Sequence, residues 1–133
     1  METNEKGIVR LEEATGVDLS DALGKAVGVD ASGNAVLGGD FGVVLAAYQD
    51  GVAVAVFGGN VGPVEVKLAG TVAKGDYLVR NPTTGKWTKA AATDVAEARA
   101  IEAGVADELV SAVLLPPAAR IGDEVYAAYA EGT

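Results

Sequence analysis

The chain has 133 residues, a formal charge of −9 from 10 basic and 19 acidic residues, and neither cysteine nor histidine. Disulfides and thiolate metal sites are excluded, the commonest general base and metal ligand is missing, and the acid surplus opposes attraction to nucleic acid or to an anionic membrane face. Half of the residues are hydrophobic but only 5% are aromatic, and 18 are glycine, which predicts one β-rich domain with a core of small side chains and many turns.

Residues 1–15 open with M-E-T-N-E-K, which lacks the basic start and apolar core of a signal peptide, so synthesis in the cytoplasm is expected. They continue with I-V-R-L (Ile8–Leu11). This segment reads as an extended N-terminal arm holding one short apolar strand. The rival is that residues 8–11 pair with the protein's own sheet. Gly16–Ala26 suggests a short helical turn capped by Asp18 or Ser20 and stopped at Gly24. Val27–Asp30, the turn Ala31–Asn34 and Ala35–Leu37 follow as strand, turn and strand. Phe41–Tyr48 and Val52–Phe57 are apolar runs joined through Asp50-Gly51, a strong hairpin signal, and both are too short to span a bilayer. In Asn60–Thr71, Val64, Val66 and Leu68 alternate with Glu65 and Lys67, the pattern of a half-buried strand.

Val72–Leu115 has the punctuation of an antiparallel meander: Val72–Val79, the turn Asn81–Lys86, Trp87–Ala90, then Ala98–Leu115. Asp94–Ala103 is ambiguous. Its composition favours a helix, whereas its place in the pattern favours a strand from Ala98 to Ala103, and a short helical turn at Asp94–Glu97 reconciles the two. Pro116-Pro117 ends the last strand. The tail, 118–133, is either loose or a short helix capped by Asp123, with Val125, Tyr126 and Tyr129 on one side.

The halves resemble each other. Gly24–Leu37 lies over Gly75–Lys89, with Gly24 over Gly75, Val27 over Leu78, Asp30 over Asn81 and Gly33 over Gly85 after one inserted residue. Phe41–Phe57 falls over Ala98–Leu115. An internal repeat of roughly fifty residues is expected, with halves at about 16–60 and 61–117.

Candidate chemical sites are few. Gly38-Gly39-Asp40 and Gly58-Gly59-Asn60 lack the spacing of a nucleotide loop and read as turns. The Asp30–Asn34 turn lacks a full set of calcium ligands. Asp107-Glu108 and Asp123-Glu124 read as solvated acids rather than an acid and base pair. Trp87 and Tyr77 could form a sugar-stacking face, although a cross-strand aromatic pair supporting the meander is the simpler reading. No catalytic residue, cofactor site or metal site is assigned, and the chain is expected not to be an enzyme.

The order and spacing of Val72–Val79, Gly85–Thr88, Ala90–Asp94, Ala98–Ala103 and Gly104–Leu115 resemble those of phage capsid decoration proteins, also called capsid cement proteins. The first half, with V-V-L-A-A-Y-Q-D-G-V-A-V-A-V-F, is similar to the upstream strands of that family, so the resemblance spans Gly24 to Leu115. It implies a small antiparallel β barrel-like domain that forms a homotrimer. It further implies a structural, non-enzymatic role: binding the major capsid protein on the outer capsid surface of the virion and stabilising the phage head. No nucleic-acid or membrane partner is expected. An extended arm commonly reaches the capsid in that family. Ile8, Val9, Arg10 and Leu11 are therefore the expected capsid-binding residues, an apolar strand able to add to an exposed sheet edge. The other reading is a non-catalytic module binding carbohydrate or a cell surface through Trp87 and the tyrosines.

Overall fold

The structure, a computed structural model, describes residues 2–3, 7–49, 51–57 and 61–115. Their strands are β1 (Glu2–Thr3), β2 (Ile8–Glu12), β3 (Ala26–Val29), β4 (Ala35–Leu37), β5 (Gly42–Ala47), β6 (Gly51–Val56), β7 (Pro63–Lys67), β8 (Tyr77–Arg80), β9 (Trp87–Lys89), β10 (Ala98–Ala100) and β11 (Leu109–Leu114). They form two antiparallel sheets, ordered β1-β2-β6-β5-β3-β4 (sheet A) and β7-β11-β10-β8-β9 (sheet B). The protein is mainly β, as expected, but the sheets stay open and do not close into a barrel.

The two orders are one pattern used twice. Without β1, sheet A runs β2-β6-β5-β3-β4, and replacing each strand by the one five places later gives sheet B. The first strand of each unit pairs with the last: Val9 faces Val54, and Val64 faces Ala112. The turns match as well. The Asp30 carboxylate accepts from the amides of Ser32 and Asn34, and the Asn81 side-chain oxygen accepts from those of Thr83 and Thr84. Gly33 and Gly85 close these turns with φ of 82° and 75°, a conformation in which a Cβ is strained. The amide of Ala14 donates to Ala35 O, as that of Ala69 does to Trp87 O.

This pairing moves the expected boundaries. The first half is expected to begin at residue 16 after an extended arm of residues 1–15, with pairing of residues 8–11 to the protein's own sheet as the rival, and residues 8–12 follow the rival. They are the first strand of unit 1, the counterpart of the alternating Pro63–Lys67 strand. β2 is hydrogen-bonded along β6 from Ile8–Ala55 to Glu12–Gly51, and β1 pairs on its other edge. Val9 and Leu11 are buried. The cause is an i, i+2 apolar pair facing a core that otherwise lacks its edge strand.

No helix occurs among the described residues. Around Asp18 the chain makes turns, with the Asp18 carboxylate accepting from the Ser20 amide. Asp94 caps a turn through the Ala91 amide at 2.8 Å, and the strand after it is Ala98–Ala100. Strand pairing prevails over helix propensity there because Ala98 and Ala100 are buried between β8 and β11 while Arg99 faces out. The tail expectations for residues 118–133 lie outside the described residues.

Each unit has an inner cluster. In unit 1 it holds Val9, Leu11, Val27, Ala35, Val44, Val52 and Val54, covered by Leu19 and Ala22. In unit 2 the equivalent positions are Val64, Val66, Leu78, Trp87, Ala100, Val110 and Ala112, and the cover is unit 1 itself through Ala26, Val43, Ala55 and Phe57. Backbone bonds fasten this junction: Lys67 N to Gly24 O at 2.9 Å and Ala26 N to Gly85 O at 2.8 Å.

Candidate interaction surfaces

The outward side chains of the strands make one row per unit. In unit 1 the register aligns Ile8, Ala55, Val43 and Ala26 across four strands. The last three are fully buried under unit 2. In unit 2 the equivalent row is Pro63, Val113, Arg99 and Tyr77. This row faces out: Val113 is 37% exposed and Ile101, next in the alternation after Arg99, is 40% exposed. Arg99 is held flat there. Its Nε donates to Gly75 O at 3.1 Å, and its guanidinium carbon lies 4.9 Å from the Tyr77 ring centre. The side chain is thus fixed as a cation on an aromatic base instead of sweeping through solvent.

Of the expected capsid-binding residues, the structure divides the four by face. Val9 and Leu11 point into the core of unit 1, so neither is available to a partner. Ile8 is half-buried and Arg10 exposed on the outward side. The Arg10 guanidinium sits 4.3 Å from the Tyr48 ring centre. β2 pairs with β6 along its whole length on one edge and with β1 at Val9 and Arg10 on the other, so strand addition through Ile8–Leu11 would have to displace β1.

The aromatic reading also changes. Trp87 is fully buried and meets Phe57 edge to face, with centroids 6.1 Å apart and planes at 67°. It cannot stack on a sugar. Its Nε1 finds no hydrogen-bond acceptor among the described residues, so the indole acts there as a large apolar body.

Two charged pairs deserve separation by burial. Arg80 and Glu97 form an ion pair whose side chains are 20% and 10% exposed. Glu97 also accepts from the Arg80 amide at 3.2 Å, and Arg80 Nε donates to Gly38 O of unit 1 at 3.2 Å. The pair lies within unit 2 and holds Arg80 where its Nε reaches across the junction, and nothing in the spacing of the two residues announced it. Lys86 Nζ and the Asp107 carboxylate, 2.7 Å apart, make an exposed pair. That hydrogen bond, and the ammonium charge behind it, hold the Asp107 carboxyl below its ordinary value. Glu108, its expected surface neighbour, accepts from the Val105 amide and shapes the turn.

A groove of about 640 Å³ opens beside Arg10, Glu12, Val29, Asn34 and Phe41. Its cation is already engaged on Tyr48. Among the described residues, no group of three or more acidic side chains is placed to hold a metal ion. Searches of family models and of curated proteins return no match to this chain.

Proposed function

We propose that the protein is a structural component of a phage virion that binds the major capsid protein on the outside of the head, as a homotrimer, and braces the lattice. The observation that carries this reading is the order of segments from Val72 to Leu115 that resembles capsid decoration proteins. Its support from the fold is that these segments make one continuous set of paired strands, β8 to β11. The acid surplus suits an outer capsid position better than the side facing packaged DNA. Contact with the capsid in this reading runs through outward side chains such as Ile8 and Arg10, not through an added strand.

The test is cosedimentation of the full chain with undecorated phage heads, built from a major capsid protein encoded beside its gene. Saturable binding and a higher melting temperature of the heads are expected. A chain that stays in the supernatant at every concentration, while heads bind their known cement protein, refutes the proposal.

A further inference from the structure

We infer that the outer face of sheet B, centred on Val113, Arg99 and Ile101, is a docking surface for the Gly16–Leu23 loop of a second copy of this chain. The proposed trimer bears on this only through the number of copies that close the assembly.

The argument starts from the internal repeat. The row Ile8–Ala55–Val43–Ala26 of unit 1 is covered by the open side of unit 2's inner cluster. The molecule thereby shows what an outer row of this fold is shaped to meet: another unit of the same fold. Unit 2 carries the same row at the same register, with Pro63, Val113 and Arg99 exposed and Tyr77 half-buried under the Arg99 guanidinium. Val113 and Ile101 are two of its exposed large apolar side chains.

The partner surface follows from the same contact. Carried forward by one unit, the row of unit 2 would face the open side of unit 1 in the next copy. In unit 1 that side is filled by the loop between β2 and β3, which is longer than its counterpart between β7 and β8. Leu19 and Ala22 of the loop plug the cluster, each 1% exposed. The loop then presents Leu23, 38% exposed, to the outside. The same loop carries two acids. Asp21 has a side chain 90% exposed, with Lys25 Nζ 3.9 Å away. Asp18 is also exposed.

The two surfaces match in kind. One offers Val113 and Ile101 beside a fixed arginine, and the other offers Leu23 on a loop that carries two exposed aspartates. A small apolar centre with an opposed charge pair at its rim is a common anatomy for an interface. The contact joins different patches on the two copies, so it is heterologous, and it closes into a ring or runs on as a filament.

Light scattering on the full chain and on Val113→Asp and Leu23→Asp variants tests this, with Trp87 fluorescence and circular dichroism confirming that each variant is folded. The wild type is expected to show a multiple of the monomer mass, and each variant alone the monomer mass. An equal mixture of the two is expected to recover dimers, because the intact Val113 of one variant meets the intact Leu23 of the other. Arg99→Glu is expected to weaken assembly, and combining it with Asp21→Arg to restore it. A monomeric wild type overturns the inference. So does a Leu23→Asp variant that stays assembled while Val113→Asp dissociates, since the face then pairs with something other than the loop. A Val113→Asp variant that assembles normally but leaves phage heads unbound assigns the face to the capsid and overturns it too. An assembled wild type that ignores phage heads leaves this inference standing and removes the proposed function; a monomer that binds heads does the reverse.

Discussion

Removing the Glu97 carboxylate is the sharpest test of what fixes Arg80 beside the junction of the two units. Glu97→Ala leaves the Arg80 guanidinium in a site where its side chain is only 20% exposed, and it strips the Arg80 amide of its acceptor. Breaking one side of a buried ion pair costs about 3–5 kcal/mol, because the surviving charge stays desolvated. Unfolding entropy of about 2.1 cal/mol/K per residue over 133 residues gives about 0.28 kcal/mol/K, so the expected fall in Tm is about 11–18 °C. Arg80→Met combined with Glu97→Leu removes both charges while keeping volume. Unit 1 already solves these two places apolarly, since Val29 and Phe41 stand where unit 2 has Arg80 and Glu97. The double variant is expected to lie within about 1–2 kcal/mol of wild type. The residue of the loss comes from two bonds, Arg80 Nε to Gly38 O and Arg80 N to Glu97, at about 1 kcal/mol each. Urea denaturation at fixed protein concentration, followed by Trp87 fluorescence, measures both. A single variant that loses less than about 1 kcal/mol, or a double variant no better than the single, refutes the reasoning.

Four further variants have expected outcomes. Gly38→Ala should destabilise by more than about 1 kcal/mol in the same titration, because a Cβ at φ 91° would lie 2.1 Å from the Pro82 carbonyl oxygen across the junction. Leu11→Ala should cost about 2–5 kcal/mol, and deleting residues 1–14 should abolish the cooperative thermal transition, because β2 is the first strand of unit 1 and buries Val9 and Leu11 in its core; a deletion with unchanged Tm would return these residues to an arm. Asp107→Asn keeps a side chain that tolerates φ 70° but loses the bond to Lys86, so a small loss is expected at neutral pH. A carboxyl held below its ordinary 3.8 contributes stability that is present above that value and is lost as pH falls through the lower folded value. The wild type and variant melting curves should therefore converge in acid below about pH 3.8 and not above it.

The turns were the most legible part of the sequence. Asp30 with Gly33 and Asn81 with Gly85 mark the same side-chain-capped turn, and both appear where the residue types put them. The repeat was legible from those same residues, although the backbone pairs Gly42, not Phe41, with the role of Ala98: Gly42 faces Val27, as Ala98 faces Leu78. A β-bulge between Val44 and Ala46 lies beyond that point in β5, where side-chain pattern alone cannot be kept in register. The role of Ile8–Leu11 was not legible, because two buried residues in a short polar stretch carry little periodic signal until the β6 partner is known. The ring partner of Trp87 was not legible for a related reason: the preferred reading pairs it with Tyr77 across the meander, whereas it meets Phe57 and Tyr77 carries Arg99. The burial of Trp87 depends on Phe57 and on unit 1, which no local pattern encodes. The Arg80–Glu97 pair and the exposed row through Val113 are products of the junction and of register, and both exist only in three dimensions.

The pairing of each unit's first strand with its last has a consequence for how the chain emerges from a ribosome. Unit 1 cannot finish its sheet until β6 is out, since β2 waits for Val52, Val54 and Ala55. Once finished, it displays Ala26, Val43 and Ala55 to water, because their cover is encoded downstream. That cover is itself incomplete until β11 arrives to pair with β7 and β10. Between those moments the nascent chain carries an uncovered apolar sheet, a surface on which neighbouring chains can stick. The last of the described strands to be synthesised therefore seals both units at once, and truncations anywhere within β11 should yield aggregates rather than a stable first half.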